Sequence, residues 1–448
     1  MTFDPSDPAG ADLRHAVSCA LTSFLDGQES VLASIGTELT PVLQAARDYT
    51  AGGKRLRPAF CYWGYVAAAG QPRDPQALMQ AAASLELLHV SALVHDDIMD
   101  HSDTRRGLPS AHRRFEAAHR QNHGMGAPEE YGRDVALLLG DLLTVWSAEM
   151  FTTAALPTSA MTAAAPILAA VRTEVNCGQV LDVTAQAGMA GTTSESMLDL
   201  VGRVVEYKSA SYTVVRPAQL GVALSTTKES PTVLLTALQQ FGSPLGRAFQ
   251  YRDDLLGVFG DEQVTGKPAG DDLREGKRTV LVAHALSQAT PDDAATLTAM
   301  LGRADLEDDD VHTARRIIEQ CGARAAVEET IHTGLTQALA VLDATDMTDE
   351  GRAGLRALAR AAVDRAACDC FSAGIHRLPV TEILLTPRGT TPARAPGNQA
   401  PTRMAGRGDH PGTDPGIEEF APDGAQPPGP RARNTTNAGP RARKTDQS

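Results

Sequence analysis

Aromatic residues are scarce in this sequence, at 4% of 448 positions, although 42% of the chain is hydrophobic. A core built from it must rest on Ala, Leu and Val, side chains that suit helices better than sheets. No stretch alternates apolar and polar residues convincingly enough for a strand, so an all-α fold is expected. No run approaches the roughly 18 apolar residues of a membrane span, so no transmembrane segment is expected. A basic surplus is also missing. Net charge is -14, which argues against a nucleic-acid partner. The six cysteines follow no metal-finger spacing, and Cys368 and Cys370 are too close for a CxxC pair. They read as free thiols in a reducing cytoplasm. Asp4, Asp7 and Asp12 ahead of a short apolar run are wrong for a secretory signal. The expected location is the cytoplasm.

Lysine is the scarcest charged residue. Of 41 basic residues only six are lysines, at 54, 208, 228, 267, 277 and 444. A chain that uses arginine almost everywhere keeps lysine where a compact ammonium does what a guanidinium cannot.

What is present is helical periodicity. Residues 1–11 look frayed, and Asp12 to Thr50 carries two amphipathic helices broken near Gly36–Thr40. Gly52–Pro58 is a cationic turn into a helix over 59–69, followed by a long helix from Pro75 through Asp100. Residues 116–133 read as a loop. Helices are predicted over 135–154, 160–187, 194–224, 231–259 and 278–287. The Gly-, Asp- and Lys-rich stretch 260–276 reads as a loop over a site. Further helices fill 292–302, 310–343 and 348–376. Residues 379–448 are a Pro-, Gly- and Arg-rich tail, with Gly-Pro-Arg-Ala-Arg at 429–433 and 439–443, expected to be disordered.

The chemistry concentrates in His89-Val-Ser-Ala-Leu-Val-His-Asp-Asp-Ile-Met-Asp-His-Ser-Asp-Thr-Arg-Arg-Gly107. On a helix, Asp96 and Asp100 stand one above the other, and two stacked carboxylates need a cation. Hard oxygen ligands suit Mg²⁺ or Mn²⁺, with diphosphate oxygens completing the shell. Arg105 and Arg106 add forked phosphate donors. A second acidic pair, Asp253 and Asp254, caps another apolar helix with Gln250 one turn away. Asp308-Asp309-Asp310 has no apolar floor and reads as helix N-terminal charge. Lys54, Arg55, Arg57, His89, Arg105, Arg106, Lys208, Lys267 and Lys277 are too many cations for one diphosphate. Two diphosphates are implied.

The motifs GGKRLRP, LVHDDIMDHSDTRRG, GQVLD, YKSAS, FQYRDDLLGVFGD, GKPAGDD and EGKRT, in this order, resemble the trans-isoprenyl diphosphate synthases, or polyprenyl synthetases, over residues 12–378. Among them the chain looks most like bacterial geranylgeranyl diphosphate synthases. The resemblance implies a single all-α barrel of about ten core helices, a homodimer, and about three Mg²⁺ ions at its mouth, with Mn²⁺ as a substitute. It implies that Asp96 and Asp100 bind two ions and Asp253 the third, with Asp97 and Asp254 auxiliary. Lys54, Arg57, His89 and Arg106 would hold isopentenyl diphosphate. Arg105, Lys208, Ser209, Gln250, Lys267 and Lys277 would hold the allylic diphosphate. The second acidic motif of the family usually ends in Asp, where this chain has Gly257, and Ser209 stands where Thr is common.

The implied reaction is ionisation of the allylic C–O bond, attack by the isopentenyl double bond, and proton loss to the released diphosphate. Product length should follow the wall below Asp96. Ser91 and Ala92 are small, which argues for growth beyond C15, with Leu88 and Leu87 as the floor; C20 is expected. Rival readings are another chain length, a class I terpene cyclase, and a non-catalytic synthase subunit.

Overall fold

The computed structural model describes residues 2–189, 194–225, 232–260, 270–303 and 305–363. The expected C-terminal tail and Lys267 lie outside these residues. The described chain is all-α. Its helices are α1 (Ala11–Ile35), α2 (Thr40–Thr50), α3 (Leu56–Ala69), α4 (Pro75–Met99), α5 (Ala111–Gln121), α6 (Pro128–Thr152), α7 (Thr158–Gln186) and α8 (Ser194–Val204). A π-helical segment (Val205–Val215) leads into α9 (Arg216–Ser225) and α10 (Thr232–Phe259). Then come α11 (Asp271–Arg274), α12 (Val280–Gln288), α13 (Pro291–Met300), α14 (Asp308–Gln320), α15 (Ala323–Ala344) and α16 (Asp349–Val363).

The central element is α4. Asp74 caps it by accepting from the backbone of Gln76 and Ala77, and Pro75 occupies the first turn, where its missing N–H costs nothing. Its Ala- and Leu-rich length packs on α6, α3 and α1. On the far side of the bundle, α10 packs along α15 and the π-helical segment, and α3 along α9. The core between them is mostly Ala, Leu and Val, with Phe60, Tyr62, Trp63, Phe151 and Phe241 as the large fully buried side chains.

The π-helical segment carries Lys208, Ser209, Tyr212 and Thr213. Such wide turns cost hydrogen-bond geometry and persist where tertiary packing holds them. Here neighbours press close on both sides. A Cβ on Gly178 of α7 would come within 2.4 Å of Lys208 N, and one on Gly246 of α10 within 2.4 Å of Ala210 Cα.

The helix expected over 310–343 is two, α14 and α15, parted at Cys321 and the left-handed Gly322, and four further expectations need correction. The N-terminal residues are not frayed: Phe3 is buried edge-on against Tyr62 at 4.8 Å between ring centroids, and Pro8 O accepts from Trp63 Nε1 at 2.8 Å. Two aromatic side chains of α3 thus hold the first residues down. Second, most of 116–133 is helical, with α5 running to Gln121 and α6 starting at Pro128. His119 ties the joint by bonding Met125 O at 3.0 Å. Third, one short ribbon exists, Thr104–Arg105 (β1) paired with Leu108–Pro109 (β2). Fourth, α4 and α6 are each long and apolar enough to cross a membrane by length and composition. The window in α4 is 78% buried inside the protein, so its apolar surface is core. Counting uninterrupted apolar runs missed both, because Glu86 and His89 interrupt one and Asp141 the other.

Candidate active site

One cavity of about 1570 Å³ opens between α4, α7, the π-helical segment and α10. Its wall gathers Lys54, Arg57, His89, Arg105 and Arg106 with Asp96, Lys208, Ser209, Gln250, Asp253, Asp254 and Lys277. Residues more than 200 positions apart in sequence therefore meet at one mouth. Leu88, Ser91 and Ala92 of α4 and Val175 of α7 supply its apolar wall, and the exposed Val145 of α6 borders it. Leu87 is fully buried and is not on the wall, so it is no part of the floor.

The carboxylates of α4 meet lysines. Lys208 Nζ donates to Asp96 Oδ1 at 3.0 Å and to Asp182 Oδ2 at 2.6 Å. Gln179 Nε2 donates to the same Asp96 oxygen at 3.1 Å. Lys277 Nζ lies 3.2 Å from Asp100 Oδ2 and also pairs with Glu275. Burial alone would raise Asp96, but Lys208 and Lys277 more than reverse that and hold it below the usual carboxylate range. Asp100 goes the other way: burial, then the neighbouring Asp96, push it up to about 6. Burial opposes the charge on Lys277, and Asp272, Asp100 and Glu275 overcome it, keeping the ammonium charged well above its ordinary range.

Asp97 is buried at the other side of the helix, where it accepts from Arg105 Nε at 2.8 Å and again from Nη2. It holds Arg105 toward the cavity; neither Asp97 nor Asp100 is on the cavity wall. Asp254 is buried, accepts from Gln250 Nε2 at 2.9 Å, and is pushed up to about 7, chiefly by burial. Its Oδ2 has no hydrogen-bond partner among the described residues.

The second cationic group is built by two backbone turns. Arg106 and Gly107 both have positive φ, 53° and 77°, between β1 and β2. That is the pattern of a tight two-residue hairpin, and it turns Arg106 back onto α4. Arg106 Nη2 donates to His89 Nε2 at 3.3 Å, so that ring nitrogen is unprotonated. Burial, then Arg57 and Arg106, hold His89 well below its ordinary pKa. Arg57 lies over the Tyr212 ring at 4.1 Å and donates to Thr213 Oγ1 at 2.9 Å. Arg55, also at positive φ, borders the same cavity, but its guanidinium is taken up by a buried pair with Glu86 at 2.9 Å and by Thr50 O.

Among the described residues, no three carboxylate, imidazole or thiolate groups are drawn together tightly enough to hold an ion alone. The donor set nevertheless fits Mg²⁺, which takes one or two carboxylates and relies on phosphate oxygens for the rest. Asp96 and Asp253, both on the wall, would meet it once Lys208 turns to the diphosphate. Asp100, off the wall and paired with Lys277, would join them only once that lysine turns away, and the Asp254 oxygen without a hydrogen bond is a further carboxylate group on the wall. The sequence motifs leave Gln179, Asp182, Tyr212, Thr213 and Asp272 without roles, although Gln179 and Asp182 lie in GQVLD and Asp272 in GKPAGDD.

Asp308, as expected, starts α14, where Glu307 and Asp310 form a capping box. It lies outside the site.

The family model described as polyprenyl synthetase matches residues 40–318. A curated geranylgeranyl diphosphate synthase of Saccharolobus solfataricus is 33% identical over 274 residues, covering 61% of this chain and 74% of that protein. A nonaprenyl diphosphate synthase of Mycobacterium tuberculosis is 29% identical over 337 residues, covering 74% and 89%. Among solved structures, the geranylgeranyl pyrophosphate synthase of Corynebacterium glutamicum, complexed with isoprenyl diphosphate and magnesium, superposes with a TM-score of 0.75. It is 40% identical and covers 81% of this chain and 100% of its own.

Proposed function

The chain belongs to the polyprenyl synthetase family, whose members are prenyltransferases, and from that premise we propose that it makes geranylgeranyl diphosphate (C20). In this reading it joins isopentenyl diphosphate head-to-tail to an allylic diphosphate. The observation that carries the reading is the meeting of two cationic groups over one apolar shaft. Lys54, Arg57, His89 and Arg106 form the first, for isopentenyl diphosphate, and Arg105, Lys208, Ser209, Gln250 and Lys277 the second, for the allylic diphosphate. Lys267 belongs to the second group in the same reading.

About three Mg²⁺ ions, or Mn²⁺ in their place, would be held by Asp96, Asp100 and Asp253 with the diphosphate oxygens. When bound they supply charge neutralisation for the departing diphosphate. The protein's own part is electrostatic. Lys208 and Lys277 are poised on Asp96 and Asp100, and donate to the diphosphate as its C–O bond breaks. Arg57 and Arg106 fix the isopentenyl diphosphate so that its double bond faces the allylic cation. Leu88, Ala92 and Val175 keep water from quenching that cation. The proton leaves to the released diphosphate.

A homodimer is part of the same reading, supported by Leu137 and Leu138, exposed side by side on α6. The cyclase reading is disfavoured because it leaves the Arg57, His89 and Arg106 group without a ligand. The non-catalytic subunit is disfavoured by the intact aspartates. Both are tested by one experiment: the protein alone with Mg²⁺ should consume isopentenyl diphosphate, and Asp96→Ala should not. Cyclisation of geranylgeranyl diphosphate without isopentenyl diphosphate would reverse the preference.

A further inference from the structure

Gly257 stands one helical turn beyond Asp253 on α10, where an aspartate would extend the second acidic cluster as Asp100 extends the first. That place is not empty space. A Cβ built on Gly257 would lie 1.9 Å from Asp272 Oδ2 and 2.5 Å from Asp272 Cγ. The Asp272 carboxylate therefore fills the volume that any side chain at 257 would need. It arrives from α11, 15 positions later in sequence, and Lys277 Nζ lies 3.9 Å from its Oδ1. Beside it is Asp254, 4% exposed, whose Oδ2 has no hydrogen-bond partner among the described residues. A buried, unpartnered carboxylate oxygen next to a second carboxylate is a costly arrangement that a cation would relieve. Both residues, with Asp253, line the cavity.

We propose that Asp272 supplies from α11 the carboxylate that α10 lacks at 257, facing the divalent ion that Asp253 would hold. The proposal rests on the function proposed above and concerns which residue completes its second acidic cluster. It makes a distinctive demand on Gly257: the residue is there to leave room. Restoring aspartate at 257 alone should harm the site, because the new side chain and Asp272 claim the same volume.

The test is Mn²⁺ binding to the full-length protein in the presence of inorganic diphosphate, followed by electron paramagnetic resonance. Asp272→Asn should weaken one Mn²⁺ site by about 10- to 100-fold, the range seen when a group supporting a metal site is removed. Gly257→Ala changes no charge, and should weaken the same site by displacing the Asp272 carboxylate. The double variant Gly257→Asp with Asp272→Ala should bind Mn²⁺ better than either Gly257→Asp or Asp272→Ala alone. Thermal unfolding of each variant checks folding; if Asp272→Asn fails to fold, Gly257→Ala and the double variant decide. Wild-type Mn²⁺ binding in both Asp272→Asn and Gly257→Ala, with loss in Asp253→Asn, overturns the proposal and leaves the functional reading standing. If the wild-type protein binds no Mn²⁺ with diphosphate, both fall together.

Discussion

Lys208 donates a 3.0 Å hydrogen bond to Asp96 from the π-helical segment to α4, 112 positions apart in sequence. The pair is a resting contact in which the lysine occupies a carboxylate that a metal ion would otherwise meet. Removing the ammonium should therefore separate metal binding from turnover. A charge-assisted hydrogen bond contributes about 1.5–3 kcal/mol, or roughly ten- to hundred-fold. In Lys208→Met, Mn²⁺ should bind more tightly without diphosphate, because the competing cation is gone. Turnover should fall and the KM for the allylic substrate rise by roughly the same factor. Calorimetry with Mn²⁺ and steady-state kinetics check the two halves, and weaker Mn²⁺ binding would contradict the competition.

His89 should take up a proton when isopentenyl diphosphate binds. Burial and its guanidinium neighbours Arg57 and Arg106 keep the imidazole neutral in the ligand-free protein. A diphosphate laid against it favours the charged form and raises its pKa. Calorimetric titration in buffers of different ionisation enthalpy should show net proton uptake near pH 7, absent in His89→Gln. Stability carries the same sign. A histidine whose folded pKa lies below the unfolded value of about 6.5 contributes stability that is present above that value and lost as pH falls from it through the lower folded value. The ligand-free protein should unfold more readily below pH 6.5, and His89→Gln should flatten that slope.

Arg55 and Glu86 form a pair in which both side chains are at most 2% exposed. Breaking such a pair from one side costs about 3–5 kcal/mol, because a buried charge is left alone. Arg55→Met and Glu86→Leu should each lower the unfolding midpoint clearly, and the double variant should recover much of the loss. Arg55 also ties the Gly52–Arg57 turn to α4, one turn before His89. Of the two kinetic constants, the KM for isopentenyl diphosphate should therefore change most in the double variant.

Ser91 lines the cavity and donates to Gly140 O at 2.7 Å, with Thr144 Oγ1 at 2.8 Å. Phenylalanine at 91 would break both contacts with α6 and push its ring into the cavity beside α4. Ser91→Phe should shorten the product, read by chromatography of dephosphorylated prenols. Unchanged length would place the floor elsewhere.

Helix positions were legible because apolar periodicity and punctuation agree. Gly36 ends α1, and Asp74 and Pro75 start α4, within a few residues of the expected boundaries, whereas the helix expected over 310–343 breaks at Cys321–Gly322 into α14 and α15. The aspartate and lysine motifs were legible because spacing on one helix places side chains on one face. Contacts with no sequence period were not legible. Phe3 packing on Tyr62 and Asp272 filling the space at Gly257 depend on the fold bringing distant segments together. The helical ends of 116–133 were obscured by Gly124, Gly126 and Pro128, which break the chain only between Gln121 and Pro128. Leu87 and Leu88 look equivalent in sequence, but consecutive residues on a helix point about 100° apart. Only Leu88 reaches the cavity.

The central claim is tested most directly by incubating the purified protein with Mg²⁺, isopentenyl diphosphate and each allylic primer in turn, then sizing the products. The expected result is Mg²⁺-dependent consumption of isopentenyl diphosphate with geranylgeranyl diphosphate as the dominant product. A dominant C15 product, or one of C30 or longer, would contradict the C20 assignment. No incorporation of isopentenyl diphosphate with any primer would contradict the account as a whole.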